Sequence, residues 1–136
     1  MASPDDELQF AINARLLADA ALMQLIGGRI FDRVPADAQL PYIQIGEATK
    51  SRDHMSCVRS WTLYPSVHVW SDDVGFGEAN RIMGAVSECL DGAPLQLATL
   101  RLVLLVEYKS QVFRDVDGLT SHGVLEFKAI IEKRAS

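Results

Sequence analysis

Apolar positions recur along the chain first at helical and then at alternating spacing, and the change of period marks out the elements. Leu8, Ala11, Ile12 and Leu16 fall three or four residues apart and predict a first helix. Ser3 suits its N-cap, Pro4 its first helical position, and Asp5, Asp6 and Glu7 the positive end of its dipole. Asp19 starts a further turn or two carrying Leu22, Leu25 and Ile26, ended by Gly27-Gly28. Arg29 to Val34 reads as a short extended piece stopped by Pro35. Pro41 introduces a strand from Tyr42 to Ala48, with Ile43 and Ile45 on one face. From Trp61 to Ser71, Trp61, Leu63, Val67 and Val69 alternate against Thr62, Tyr64, Ser66, His68 and Trp70. Pro65 within that strand points to an edge position or a bulge.

Between these two strands, Thr49 to Ser60 shows neither period and is predicted to be a mobile loop. Asp72 or Asp73 can cap a second helix with an apolar stripe of Phe76, Ala79, Ile82, Met83, Val86 and Leu90. Gly92 and Pro94 close it. Two long strands follow, Leu100 to Arg114 and Ser121 to Lys133. The order α-β-β-α-β-β predicts an α+β fold over residues 1–136 as a single domain. Its expected form is a mainly antiparallel four-stranded sheet with two helices packed on one face.

The stretch FRDVDGLTSHGVLEFK gathers Asp115, Asp117, His122 and Glu126 between the last two strands. Asp117-Gly118 suits the centre of a two-residue type I′ turn. That turn would set Tyr108 opposite Phe127, Val106 opposite Ala129, Leu104 opposite Ile131 and Ser110 opposite Leu125. On the other face it sets Glu107 opposite Lys128 and Lys109 opposite Glu126. Matched charges across a strand pair add about 0.2–1 kcal/mol each, and a slip by two residues would oppose like charges. DVDG also resembles the start of an EF-hand loop. That loop needs three spaced oxygen donors before its glycine and a glutamate six residues after it, where Leu125 lies near the closing position. A small metal-dependent hydrolase using Asp115, Asp117 and His122 is the competing enzymatic expectation.

At 136 residues the chain suits one domain with a core of useful size. Its apolar runs are too short to cross a bilayer, and MASPDDELQF lacks the basic and then apolar pattern of a signal peptide. Cytosolic synthesis is therefore expected. A net charge of −5 argues against a dedicated nucleic-acid binder. Cys57 and Cys89 are expected to be reduced thiols, Cys57 in a loop and Cys89 on the apolar face of a helix. His54, His68 and His122 lie at no zinc-binding spacing, and the Cys57–His54 pair lacks an orienting third group. Lys50, Arg52 and Arg59 make the Thr49–Ser60 segment locally basic, either as a solvated loop or as a contact surface. No cofactor motif appears, so a binding or structural role outranks catalysis.

Three stretches, GGRIFDRVPADAQLPYIQIG, SVHVWSDD before a helix, and VFRDVDGLTSHGVLEFKAII, resemble the tail terminator (tail-completion) proteins of long-tailed phages and alphaproteobacterial gene transfer agents. The resemblance spans nearly the whole chain. It implies a protein made in the bacterial cytoplasm and assembled at the head-tail junction as a ring, usually a homohexamer. Such a ring caps the major tail tube protein and offers a surface to the stopper protein of the head connector. DNA passes through its lumen without specific binding, and neither membrane nor cofactor is involved. Under this resemblance Asp32, Arg33, Arg52, Arg59, Arg114 and Asp115 are the expected contacts between subunits or with tail partners. The neighbouring stopper ring of the same connector is the related alternative.

Overall fold

The structure is a computed structural model and describes residues 3–54 and 57–134. Ser3 Oγ accepts a hydrogen bond from the Asp6 amide at 3.3 Å and starts α1, Pro4–Leu17. Asp19 Oδ1 accepts one from the Leu22 amide at 2.9 Å and starts α2, Ala20–Ile26. Then come β1 (Ile30–Phe31), β2 (Tyr42–Asp53), β3 (Ser60–Ser71), α3 (Gly77–Leu90), β4 (Leu100–Arg114) and β5 (Ser121–Lys133). The fold is α+β, but the sheet has five strands rather than four and three helices rather than two cover it. The additions are the two shortest elements: the turns expected from Asp19 to Gly27-Gly28 form a helix of their own, and the extended piece expected over Arg29 to Val34 pairs as a strand at Ile30–Phe31.

The strands lie in the order β1-β2-β3-β5-β4. Every neighbouring pair is antiparallel except β1 with β2, which is parallel. Leu8, Ile12, Leu16, Leu22 and Ile26 from α1 and α2 are buried, as are Ile82, Val86 and Leu90 from α3. They share one core with Ile43, Leu63, Val67, Val69, Leu105, Leu125, Phe127, Ala129 and Ile131 of the sheet. The alternation of β3 falls as expected, with Leu63, Val67 and Val69 buried and Trp61 packed against the core. β3 is an inner strand, so Pro65 marks no edge. It lies opposite Ala48 on β2, beside a bulge between Ile45 and Ala48. Neither Asp72 nor Asp73 caps α3. Phe76 holds the N-cap position without a side-chain bond, while Ser71 Oγ accepts from the Asp73 amide and donates to Glu78.

Half of the expected Thr49–Ser60 loop is strand, namely Thr49 to Asp53 and Ser60. β2 continues to Asp53 and pairs with β3 down to Ser60, with Lys50 opposite Leu63 and Arg52 opposite Trp61. Thr49 to Arg52 are all exposed, so the extension lacks the in-out contrast that makes a strand readable. Met55 and Ser56 lie outside the described residues.

The last two strands form the expected hairpin, and Lys109–Glu126 and Ser110–Leu125 are partners. Beyond them the expected register fails. A bulge at Tyr108 places Phe127 opposite Glu107, Lys128 opposite Val106 and Ala129 opposite Leu105. A second irregularity past Leu104 sets Ile131 opposite Leu102. Tyr108 is therefore 54% exposed while Phe127 is wholly buried. The connection leaving α3 bonds β4 beside this bulge: the Gly92 amide donates to the Leu105 carbonyl at 2.8 Å, and Asp91 Oδ1 accepts from the Glu107 amide at 2.9 Å. These outer-edge bonds hold β4 locally away from the regular ladder that charge pairing alone predicts.

Candidate assembly surfaces

The tip of the β4–β5 hairpin shows where its carboxylates go. The Asp115 amide donates to the Thr120 carbonyl at 2.7 Å, and the Gly118 amide donates to the Asp115 carbonyl at 2.9 Å. Only glycines have positive φ among the described residues, with Gly118 at 70°. The tip is therefore not a two-residue type I′ turn, because Asp117 would need positive φ as well. Asp117 instead accepts hydrogen bonds from the amides of Leu119 and Thr120 at 2.8 Å each and from Thr120 Oγ1 at 2.7 Å. The Thr120 hydroxyl and these amides hold its carboxyl below the usual range. No group of three or more His, Cys, Asp or Glu that could hold a metal occurs among the described residues.

On the helix-free face, one ring from each strand forms a row across the sheet. Phe31 meets Tyr42 at 5.7 Å between ring centroids, Tyr42 meets Trp70 at 6.5 Å, Trp70 stacks on His122 at 3.8 Å, and His122 meets Phe113 at 4.9 Å. Burial raises the Tyr42 pKa, helped by the negative charge of Asp115. Behind the row, His68 Nδ1 lies 2.7 Å from His122 Nε2, and His68 Nε2 lies 3.3 Å from Ser66 Oγ. Ser66 Oγ donates its only hydrogen to the Glu47 carbonyl at 3.0 Å, so towards His68 it can only accept. For two neutral rings, that puts the hydrogens on His68 Nε2 and His122 Nε2. The array is a structural brace, since a serine nucleophile would have to give its proton to His68. Gly46 permits this packing: a Cβ there would come within 2.5 Å of Ser66 Oγ and 2.6 Å of the His68 ring.

Burial pushes the His122 pKa down, the neighbouring His68 adds to this, and Asp115 opposes it. The folded state therefore favours neutral His122, whereas the unfolded chain takes up a proton below about pH 6.5. This contribution to stability is full above that value and falls as the pH drops through it towards the lower folded value. Urea midpoints are expected to decrease between pH 7.5 and 5.5, and His122→Phe should flatten part of that slope. An unchanged slope in the variant would remove the histidine from the account.

A groove runs between α1 and the edge of β2. Two adjoining concavities of about 370 and 330 Å³ share Gln9, Asp32 and Ile45 in their walls. Asp5, Asp6, Asp32 and Glu47 line them, and no Lys or Arg does. Lys50 Nζ reaches Asp5 at 2.5 Å from the adjoining part of β2. Phe10 also lines the groove and is 77% exposed.

The six charged residues expected at contacts do not form one patch. Asp32 and Arg33 follow β1 and are exposed, with Asp32 in the groove. Arg52 lies within β2 rather than in a loop, and Arg59 precedes β3, where its carbonyl accepts from the Lys133 amide. Arg114 ends β4 with its guanidinium 4.9 Å from the centre of the Phe76 ring, and half-buried Asp115 begins the hairpin tip. Arg52 and Arg59 thus lie at the opposite end of the strands from Arg114 and Asp115. The aromatic row, the histidine pair and the acidic groove were not foreseen. His68 and Trp70 were placed on a common face, but nothing local reveals that His122 lies beside them. Cys89 is buried and Cys57 exposed, as expected.

The family profile described as Tail completion protein gp17 matches residues 11–132. The Tail completion protein gp17 of Bacillus phage SPP1 is 26% identical over 124 residues, 91% of each chain. Among solved structures, a chain from the virion of a native gene transfer agent particle superposes with a TM-score of 0.89 at 28% identity, covering 97% of this chain and 99% of that one. The structure of bacteriophage SPP1 gp17 is similar at a TM-score of 0.61 and 25% identity, over 96% and 91% of the two chains.

Proposed function

Because the chain belongs to the gp17 tail completion protein family, we propose that it is a tail terminator: a ring, of six copies, seated on the last ring of the tail tube. The ring ends tube growth, presents a surface to the stopper of the head connector, and lets DNA through its bore. It is a structural virion protein, as its relatives are, and not an enzyme. The observation that carries the reading is the near end-to-end similarity to a chain of a gene transfer agent virion. The spending of Asp117 on its own hairpin supports it, because the residues weighed for metal chemistry serve the fold.

Electrostatics agree with passage rather than capture of DNA. Six copies at −5 carry a charge of about −30, and a bore of negative potential repels phosphates. Asp32, Arg33, Arg52, Arg59, Arg114 and Asp115 are assigned to contacts between subunits or with the tail partners. Electron microscopy of purified protein mixed with tail tubes tests the assignment. Added density at one tube end is expected. Density on isolated head connectors but on no tube end would make the chain a stopper instead, and density along the tube wall would refute both.

A further inference from the structure

Two strands of the sheet bulge at the same level. In β2, Gly46 and Glu47 lie between the pairs Ile45–Val67 and Ala48–Pro65, so both stand opposite Ser66. In β4, Tyr108 is the extra residue between the pairs Glu107–Phe127 and Lys109–Glu126. Ser66 is itself opposite Glu126, so the bulges stand on either side of one cross-strand pair. Between them the helix-free face holds a concavity of about 370 Å³. Glu47 and Glu126 line it, together with Thr49, Val124 and the rings of Tyr64 and Tyr108. The two rings meet edge to face at 5.9 Å and are both exposed. Glu47 stands at its boundary with the acidic groove.

The charges of this concavity are incompletely used. No Lys or Arg lines it. Among the described residues the Glu47 carboxylate makes no hydrogen bond or ion pair; only its carbonyl is engaged, by Ser66. Lys109, on the same face, comes no nearer to Glu126 than 3.9 Å. Lys128 shares that face opposite Val106 but does not line the concavity. No cation lies over the Tyr64 or Tyr108 ring among the described residues. Ring faces attract organic cations through their quadrupole, and alkyl chains pack on them. The carboxylates come from β2 and β5, with β3 between, so their strands are two spacings or roughly 10 Å apart. That separation suits two charges on one chain better than a single ion. We propose that the concavity binds a linear alkyl diammonium cation, with one ammonium at Glu47, the other at Glu126, and the alkyl spine on the tyrosine rings. Lys109 competes weakly for Glu126. The site does not depend on the ring reading above.

The test is titration of the whole chain, followed by calorimetry and by the tyrosine ring signals in NMR spectra. The probes are 1,4-diaminobutane, 1,5-diaminopentane, butylamine and 1,4-butanediol. Saturable binding is expected for the diamines, at least tenfold weaker binding for butylamine, and none for the diol. Glu47→Gln and Tyr108→Leu should each weaken the diamines at least fivefold, and Lys109→Met should strengthen them. All three positions are exposed, so the variants should fold, which urea midpoints verify. Neither heat nor ring shifts with either diamine overturns the site. Equal affinity for the diol, or diamine binding that all three variants leave unchanged, overturns it as well. A second arm separates the sources of the cation. If excess 1,4-diaminobutane removes the density of the unmodified chain from tube ends, the site takes a lysine of a tail protein in the particle. Undisturbed density leaves the free diamine as its ligand. If the unmodified chain reaches no tube end, the ring reading falls and the titrations alone decide the site.

Discussion

Particles assembled without this chain are expected to carry tails that overrun their normal length, or tails that lie free of the heads. A tube of identical rings offers at its growing end the same surface that the last ring used, so nothing in the tube itself stops addition. Termination needs a subunit that matches the tube on one side and not on the other. The two ends of this fold differ enough to serve. One carries the aromatic row and the hairpin tip, where Val116 and Leu119 are exposed; the other carries Arg52, Arg59 and Arg101. The measurement is the distribution of tail lengths in negatively stained lysates, together with the fraction of heads bearing tails. Normal lengths on attached tails would refute the assigned role.

The largest expected loss of stability is for Phe127→Ala, about 3–5 kcal/mol. Phe127 is the largest fully buried side chain, on the inner face of β5, the strand that joins β3 to β4. Truncation removes its transfer free energy and leaves a cavity that the surrounding sheet and helices close only in part. In a domain of this size the melting temperature should fall by roughly 10 °C or more. Phe113→Ala is the control: it lies on the same hairpin but is 39% exposed on the other face, and should cost less than about 1.5 kcal/mol. Equal losses in urea unfolding of the two variants would contradict the placement of the core.

How much of this was legible in the chain depended on whether a residue's environment is set by its near neighbours. β4 and β5 could be bounded from sequence because Leu100 to Arg114 and Ser121 to Lys133 flank a strong turn dipeptide. The turn was then misjudged in kind, because the three bonds to the Asp117 carboxylate hold a wider tip than the dipeptide alone suggests. The bulge at Tyr108 was hidden because it accompanies bonds from Asp91 and Gly92, which lie in another element. The outer half of β2 was hidden for the opposite reason: both its faces are exposed, so polar residues serve equally on either. The row from Phe31 to Phe113 depends on strand order, and alternation within one strand carries no information about order.

That strand order also has a bearing on synthesis. β5 is made after every other element, yet it lies between β3 and β4 and bonds to both. Until Ser121 to Lys133 has left the ribosome, β4 has no partner and β3 has only β2. A nascent chain therefore cannot complete the sheet early, and its competence to join a particle arises in one late, cooperative step.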